Sequence, residues 1–164
     1  MSLLRYVALV ALALWVGGLV ALGGVAAPTI FRVLEQQMPS GGRELAGVLF
    51  GTIFSTFQHV SWGLGLVLLA SLAARAALGP RPPRFGRRMW VVSGMLAGSL
   101  LATFVIAPRI ETIRASVPGP VASLPDDDAR KVTFGRLHGL SNGLLLVIVA
   151  AGLGLMWTEA REQP

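Results

Sequence analysis

The chain contains two histidines, His59 and His138. Phe134, Ser141 and Asn142 lie four before, three after and four after His138. On a helix that spacing puts an imidazole, a hydroxyl and an amide on one face. Gln58 adjoins His59. Two imidazoles from two helices form a ligand pair for a haem iron or a copper ion. Each alone is an interfacial hydrogen-bonding residue. Arg109 and Glu111 follow Pro108 and read as a surface or snorkelling pair, with gating or substrate contact as the alternative. Asp126, Asp127 and Asp128 follow Pro125 and read as a helix cap and dipole complement. A calcium ion needs more oxygen ligands than that run supplies.

Other chemistries are excluded by residue type. The absence of cysteine removes disulfides, iron–sulfur clusters, thiolate zinc and cysteine nucleophiles. No phosphate-binding P-loop, GxSxG or HExxH is present. The candidate residues therefore point to binding rather than catalysis.

The elements that position them are membrane helices. Hydrophobic residues make up 54% of the 164 residues and charged residues 13%, against about 25% charged in soluble domains. Mean hydropathy is +0.68. Four runs lack Asp, Glu, Lys and Arg: Arg5 to Arg32, Glu44 to Arg75, Arg88 to Arg109 and Arg136 to Glu159. A hydrocarbon core about 30 Å thick needs roughly 20 apolar helical residues. The expectation is an all-α integral membrane four-helix bundle forming one domain, with spans near 3–27, 50–77, 88–113 and 134–158. Uninterrupted apolar runs do not fit the alternating strands of a barrel. The first run resembles a signal peptide ending at Val25–Ala26–Ala27, but it exceeds the usual apolar length, so it is expected to stay as a span. The second run is long enough either for one tilted helix or for an interfacial turn at Leu45–Gly51 followed by a span.

Four crossings put both termini and the second loop on one side, here called side A. The first and third loops fall on side B. Arg5, Arg75, Arg81, Arg84, Arg87, Arg88 and Arg161 belong to side A, and seven basic residues belong to side B. The dense, acid-free second loop places side A, with both termini, in the cytoplasm of a bacterial inner membrane. The net charge of +6 comes from these flanks and does not indicate nucleic-acid binding. Tyr6, Trp90 and Trp157 mark the side A boundary. Trp62 falls with the side B aromatics, and Trp15 sits mid-membrane as a packing residue. Gly94 and Gly98 form one GxxxG, and Gly135, Gly139 and Gly143 form two more. Such glycines let helices approach closely, within the bundle or across a homodimer face on the fourth helix.

Trp15–Val16–Gly17–Gly18, Ala27–Pro28–Thr29–Ile30–Phe31, Ala107–Pro108–Arg109–Ile110 and Phe134–Gly135–Arg136–Leu137–His138–Gly139–Leu140–Ser141 occur in that order. In this order and spacing the chain resembles the transmembrane-protein-205-like family, the bacterial domain-of-unknown-function (DUF4149) membrane proteins. The likeness runs from Leu4 to Trp157. It implies a four-helix membrane protein with its motif residues towards side B, and it supplies no activity. The family's third-helix asparagine is replaced here in the region of Thr103 and Phe104.

The first expectation is a non-enzymatic protein that binds, transports or traffics a small molecule or ion through a polar site near side B. Its partners are the lipid bilayer and a homo-oligomer or larger membrane complex. A structural or assembly subunit is the next reading. A haem- or copper-binding redox component using His138, with His59, is the third.

Overall fold

A computed structural model describes residues 3–79 and 84–161; Arg81 lies outside them. The described residues form an all-α bundle of four helical spans, Leu3–Gln37, Gly42–Leu78, Phe85–Ala115 and Ala129–Arg161. At about 1.5 Å per residue, 35 residues reach about 50 Å, well beyond a hydrocarbon core of about 30 Å. Each span therefore overhangs the membrane, and the overhangs carry charge. This explains why the helices run past the ends expected from uncharged runs: a charge ends the lipid-compatible stretch, not the helix. The second span is one continuous helix through Leu45–Gly51.

The first span consists of α1 (Leu3–Ala21), a five-residue π-helical turn (Leu22–Ala26) and α2 (Ala27–Gln37). The second is α3 (Gly42–Leu78). The third repeats the pattern of the first: α4 (Phe85–Leu101), a π-helical turn (Ala102–Ile106) and α5 (Ala107–Ala115). The fourth is α6 (Ala129–Arg161). In both interrupted spans the π turn ends directly before Ala-Pro. Proline lacks the N–H of a regular helix and its ring presses on the preceding turn. Widening that turn to i→i+5 bonding lets the chain continue without a break. In lipid every freed backbone group must find a partner, so a continuous, locally widened helix is favoured over a kinked, open one.

The hairpin between α2 and α3 is tight. Gly41 adopts φ +90°. A Cβ at Gly42 would collide with the Leu34 carbonyl. The longer connection before α6 holds a short 3₁₀ turn, Val121–Ser123. Lys131 Nζ pins it by donating to Leu124 O at 2.7 Å, Asp126 at 2.8 Å and Ala122 O at 3.2 Å. Asp128 caps α6, its Oδ1 accepting from Arg130 N at 2.8 Å. The Arg130 side chain, bonded to the same carboxylate, holds Asp128 down at about 2. A carboxyl depressed on folding adds stability above its unfolded range, and that stability is lost as pH falls through the folded value. The start of α6 should therefore fray only as pH approaches 2, and Asp128→Asn should fray it at neutral pH. Hydrogen exchange of the Ala129–Thr133 amides reads both effects.

The helices pack as a ring in which α1 touches α3 and α6, and α4 touches the same two, leaving α3 and α6 diagonal. Each crossing is made close by one glycine. Gly18 meets Phe57 between α1 and α3, and Gly65 meets Leu96 between α3 and α4. Gly98 meets Leu144 and Ile148 between α4 and α6, and Gly152 meets Val16 between α1 and α6. Trp15 is fully buried among Leu12, Leu19, Leu68 and Met95 in this core. Trp62 is not at the side B boundary. It lies midway along α3, where its Nε1 donates to Ser99 Oγ at 3.2 Å and its ring stacks on Phe104.

Candidate functional site

The inward stripe of α6 includes Ile148, Gly152, Leu155 and Glu159, all buried. The first three pack on the core. The fourth brings a carboxylate into the side A end of the bundle, where each other span contributes an arginine. Arg5 comes from the first turn of α1, Arg75 from the last turn of α3 and Arg88 from the first turn of α4. Arg88 Nη1 reaches Glu159 Oε1 at 2.6 Å, and Arg75 Nη1 reaches the same oxygen at 3.1 Å. Arg5 Nε stands 3.7 Å from Oε2, and its Nη2 donates to the Glu159 backbone carbonyl. The side chains of the four residues are 6–13% exposed. One carboxylate thus ties all four spans together at side A. Charges taken from water at a membrane boundary are expensive unless paired, which is why they converge here.

Beside this cluster, between α4 and α6, opens a cleft of about 510 Å³. Arg84, Arg87, Arg88 and Arg161 line it, Arg88 through a guanidinium that also pairs with Glu159, and among the described residues no Asp or Glu lines it. Val91, Ala151, Gly154 and Leu155 form its apolar wall. The volume lies within the range of small-molecule pockets, about 300–1,000 Å³. Arg161 packs over Trp157 with its guanidinium carbon 4.1 Å from the ring centre, a cation–π contact. Arg84 is held at φ 55°, a positive value found at no other described non-glycine residue. That backbone region is strained for an arginine. A guanidinium-lined cleft can bind an anion through charge-assisted hydrogen bonds.

The residues expected to form a site at side B are arranged differently. His138 and Asn142 are exposed, and Ser141 is half-buried. The His138 ring stacks on Phe134 of its own helix, 6.1 Å between centres. His59 is exposed, its Nδ1 2.9 Å from the Ser55 carbonyl and its ring against Trp62, again within one helix. The two histidines stand on diagonal helices, and no hydrogen bond or ring contact among the described residues joins them. Gln58 is buried, but it turns into the bundle, where Nε2 lies 3.5 Å from Thr103 Oγ1 between α3 and α4. Thr103 in turn donates to Ser99 O at 3.1 Å. Threonine thus takes up a hydrogen-bonding place in the region where the resembled family carries an amide.

Arg109 and Glu111 do not pair. Glu111 instead accepts from Arg114 Nη1 at 3.1 Å. Residues two apart point to different sides of a helix, whereas residues three apart share a face. Among the glycines singled out for packing, Gly98 makes a close helix contact. Gly94, Gly135, Gly139 and Gly143 have open space within 4 Å of a Cβ position among the described residues. Among the described residues the fourth-helix glycine stripe therefore makes no close contact inside this chain.

Arg5, Arg75, Arg88 and Glu159 were read in sequence only as flanking charges. The signal in the sequence is that an acid, Glu159, ends the last uncharged run, on a side whose other charges are arginines and Glu162.

No curated protein and no solved structure matches the chain. The family described as a domain of unknown function (DUF4149) matches residues 10–117, from within the first span to just past the end of the third. A match over more than half the chain, on a four-span apolar bundle, makes this protein a member of the DUF4149 family.

Proposed function

We propose that the protein is a non-enzymatic membrane protein that binds an anionic small molecule at the side A end of its bundle, in a transport or trafficking role. The observation that carries this reading is the cleft of about 510 Å³ lined by Arg84, Arg87 and Arg161 beside the Glu159-paired Arg88, with no acid lining it among the described residues. The arginine density of the same end supports a cytoplasmic side A in a bacterial inner membrane. The quoted Ala-Pro and His-Gly-Leu-Ser motifs support the transmembrane-protein-205-like branch of the family. His138, Ser141 and Asn142 do not line this cleft.

The test is thermal unfolding of the detergent-purified protein with pyrophosphate, against sodium chloride at matched ionic strength. Pyrophosphate should raise the midpoint by several degrees beyond chloride. Arg84→Gly should abolish that increment. It should also leave the ligand-free protein at least as stable, because glycine adopts the positive φ of that position without strain. An equal response to both salts would contradict the reading.

A second reading, an assembly subunit in a homo-oligomer or larger membrane complex, is favoured by the fourth span. Only 11% of its most apolar window is buried, against 33% in the first span. The open face of Gly135, Gly139 and Gly143 lies on it.

A further inference from the structure

The anion-binding reading leaves open what carries the negative charge, and the shape of the cleft narrows it. Its arginines sit at the ends of two helices, and its apolar wall continues inward along the same helices. From Arg161 at the rim to Ala151 the cleft runs along ten residues of α6, about 15 Å at the rise of an α-helix. Its apolar part on α6, Ala151 to Leu155, is the inner end of that run, about 6 Å long, within the half-thickness of a hydrocarbon core about 30 Å thick. Three exposed aromatic residues fix the depth of the rim. Tyr6, Trp90 and Trp157 are 58%, 80% and 60% exposed at this end of the bundle. Exposed tryptophan and tyrosine on a membrane protein mark the headgroup level. The arginines thus stand at headgroup depth, and the apolar wall stands at acyl-chain depth.

We propose that the cleft between α4 and α6 is a site for an anionic phospholipid of the side A leaflet. The headgroup phosphate sits among Arg84, Arg87 and Arg161, and one acyl chain runs down the Ala151–Gly154 wall. The proposal rests on the anion-binding reading and adds the source of the anion. A basic pocket between membrane helices is a recognised arrangement for acidic headgroups. A soluble anion would use the rim alone and leave the apolar wall without a role. Gly154 lies where a Cβ meets nothing within 4 Å, so the wall is open where a chain would lie.

Native mass spectrometry of the delipidated full-length protein tests this, with phosphatidylglycerol and phosphatidylcholine as probes. Phosphatidylglycerol is expected to bind as one tight molecule, about tenfold or more better than phosphatidylcholine, the scale of two or three arginines acting on one anionic headgroup. The double variant Arg87→Gln/Arg161→Gln should bring it to the phosphatidylcholine level. Both arginines are exposed, so their replacement spares the bundle. Gly154→Leu places a side chain on the wall from a position where a Cβ meets nothing within 4 Å, and should weaken phosphatidylglycerol about tenfold while leaving pyrophosphate stabilisation unchanged. If glycerol phosphate, which lacks acyl chains, displaces phosphatidylglycerol at equal concentration, the ligand is a free headgroup and the lipid assignment is overturned. The same holds if Gly154→Leu binds phosphatidylglycerol as the parent does. In both cases the anion-binding reading stands. If phosphatidylglycerol binds no better than phosphatidylcholine and pyrophosphate does not stabilise, both readings fall.

Discussion

Replacing Glu159 with glutamine should destabilise the bundle by about 3–5 kcal/mol, the scale for removing one partner of a buried ion cluster. The glutamine keeps the shape and some hydrogen bonds but no charge. Arg5, Arg75 and Arg88, each within contact of that carboxylate, would then repel one another in a largely dry setting. Unfolding of the detergent-purified protein by dodecyl sulfate, followed by circular dichroism, reads the loss. The complementary variant separates stability from purpose. Replacing all four residues together with apolar side chains of similar volume should restore most of the loss, because a buried ion cluster and well-packed hydrophobes are often near equal in energy. A cluster that is thermodynamically replaceable yet ties four spans to one acid serves to set the register and charge of the side A end. If Glu159→Gln unfolds like the parent, the cluster does not hold the spans together.

The second large effect belongs to Gly152. A Cβ there would overlap Val16 Cγ2 and lie 3.3 Å from Met95 Cε. Val16 is buried in the core, so it has nowhere to move. Gly152→Leu forces α1 and α6 apart and should cost at the upper end of about 1–3 kcal/mol, the range for overpacking a core. Lipid offers no hydrophobic compensation, since helix association there depends on close packing. Gly139→Leu should leave the monomer unchanged, because open space surrounds that position. If Gly139→Leu changes anything, it should be the molecular mass in detergent, which would point to a partner helix on that face. The same dodecyl sulfate titration distinguishes the two glycines. Equal losses at both positions would contradict the packing described.

The four spans were legible because a lipid-crossing helix must exclude charge over its whole apolar length. The ends were less legible, because helices continue as charged overhangs, as Arg32 and Glu35 in α2 show. The π turns before Pro28 and Pro108 were not legible at all: Ala-Pro marks a disturbed helix, but it does not say whether the chain kinks or widens. Helical spacing set His138 and Asn142 one turn apart, and both lie on α6. It could not say which way that side of the helix points. That depended on Ile148, Gly152 and Leu155, which claim the inward direction through contacts with α1 and α4.

The side A cluster was hidden for a related reason. Its four members are far apart in sequence, and each sits at a span end where a charge is ordinary. Arg5 and Glu159 are 154 residues apart yet joined by a hydrogen bond. Only the ring order of the helices brings them together. The arginine cleft was partly legible, since the density of the second loop was visible. Its partner wall on α6 was not.

The most direct test of the claim that this end of the bundle is the functional one is electron paramagnetic resonance in bilayers. Spin-labelled phosphatidylglycerol and phosphatidylcholine would be compared on the parent protein, on Arg87→Gln/Arg161→Gln and on His138→Ala. A larger motionally restricted fraction of phosphatidylglycerol is expected on the parent and on His138→Ala, and no excess on the arginine variant. Equal restriction of both lipids on the parent, or an excess lost in His138→Ala and kept in the arginine variant, would contradict the account.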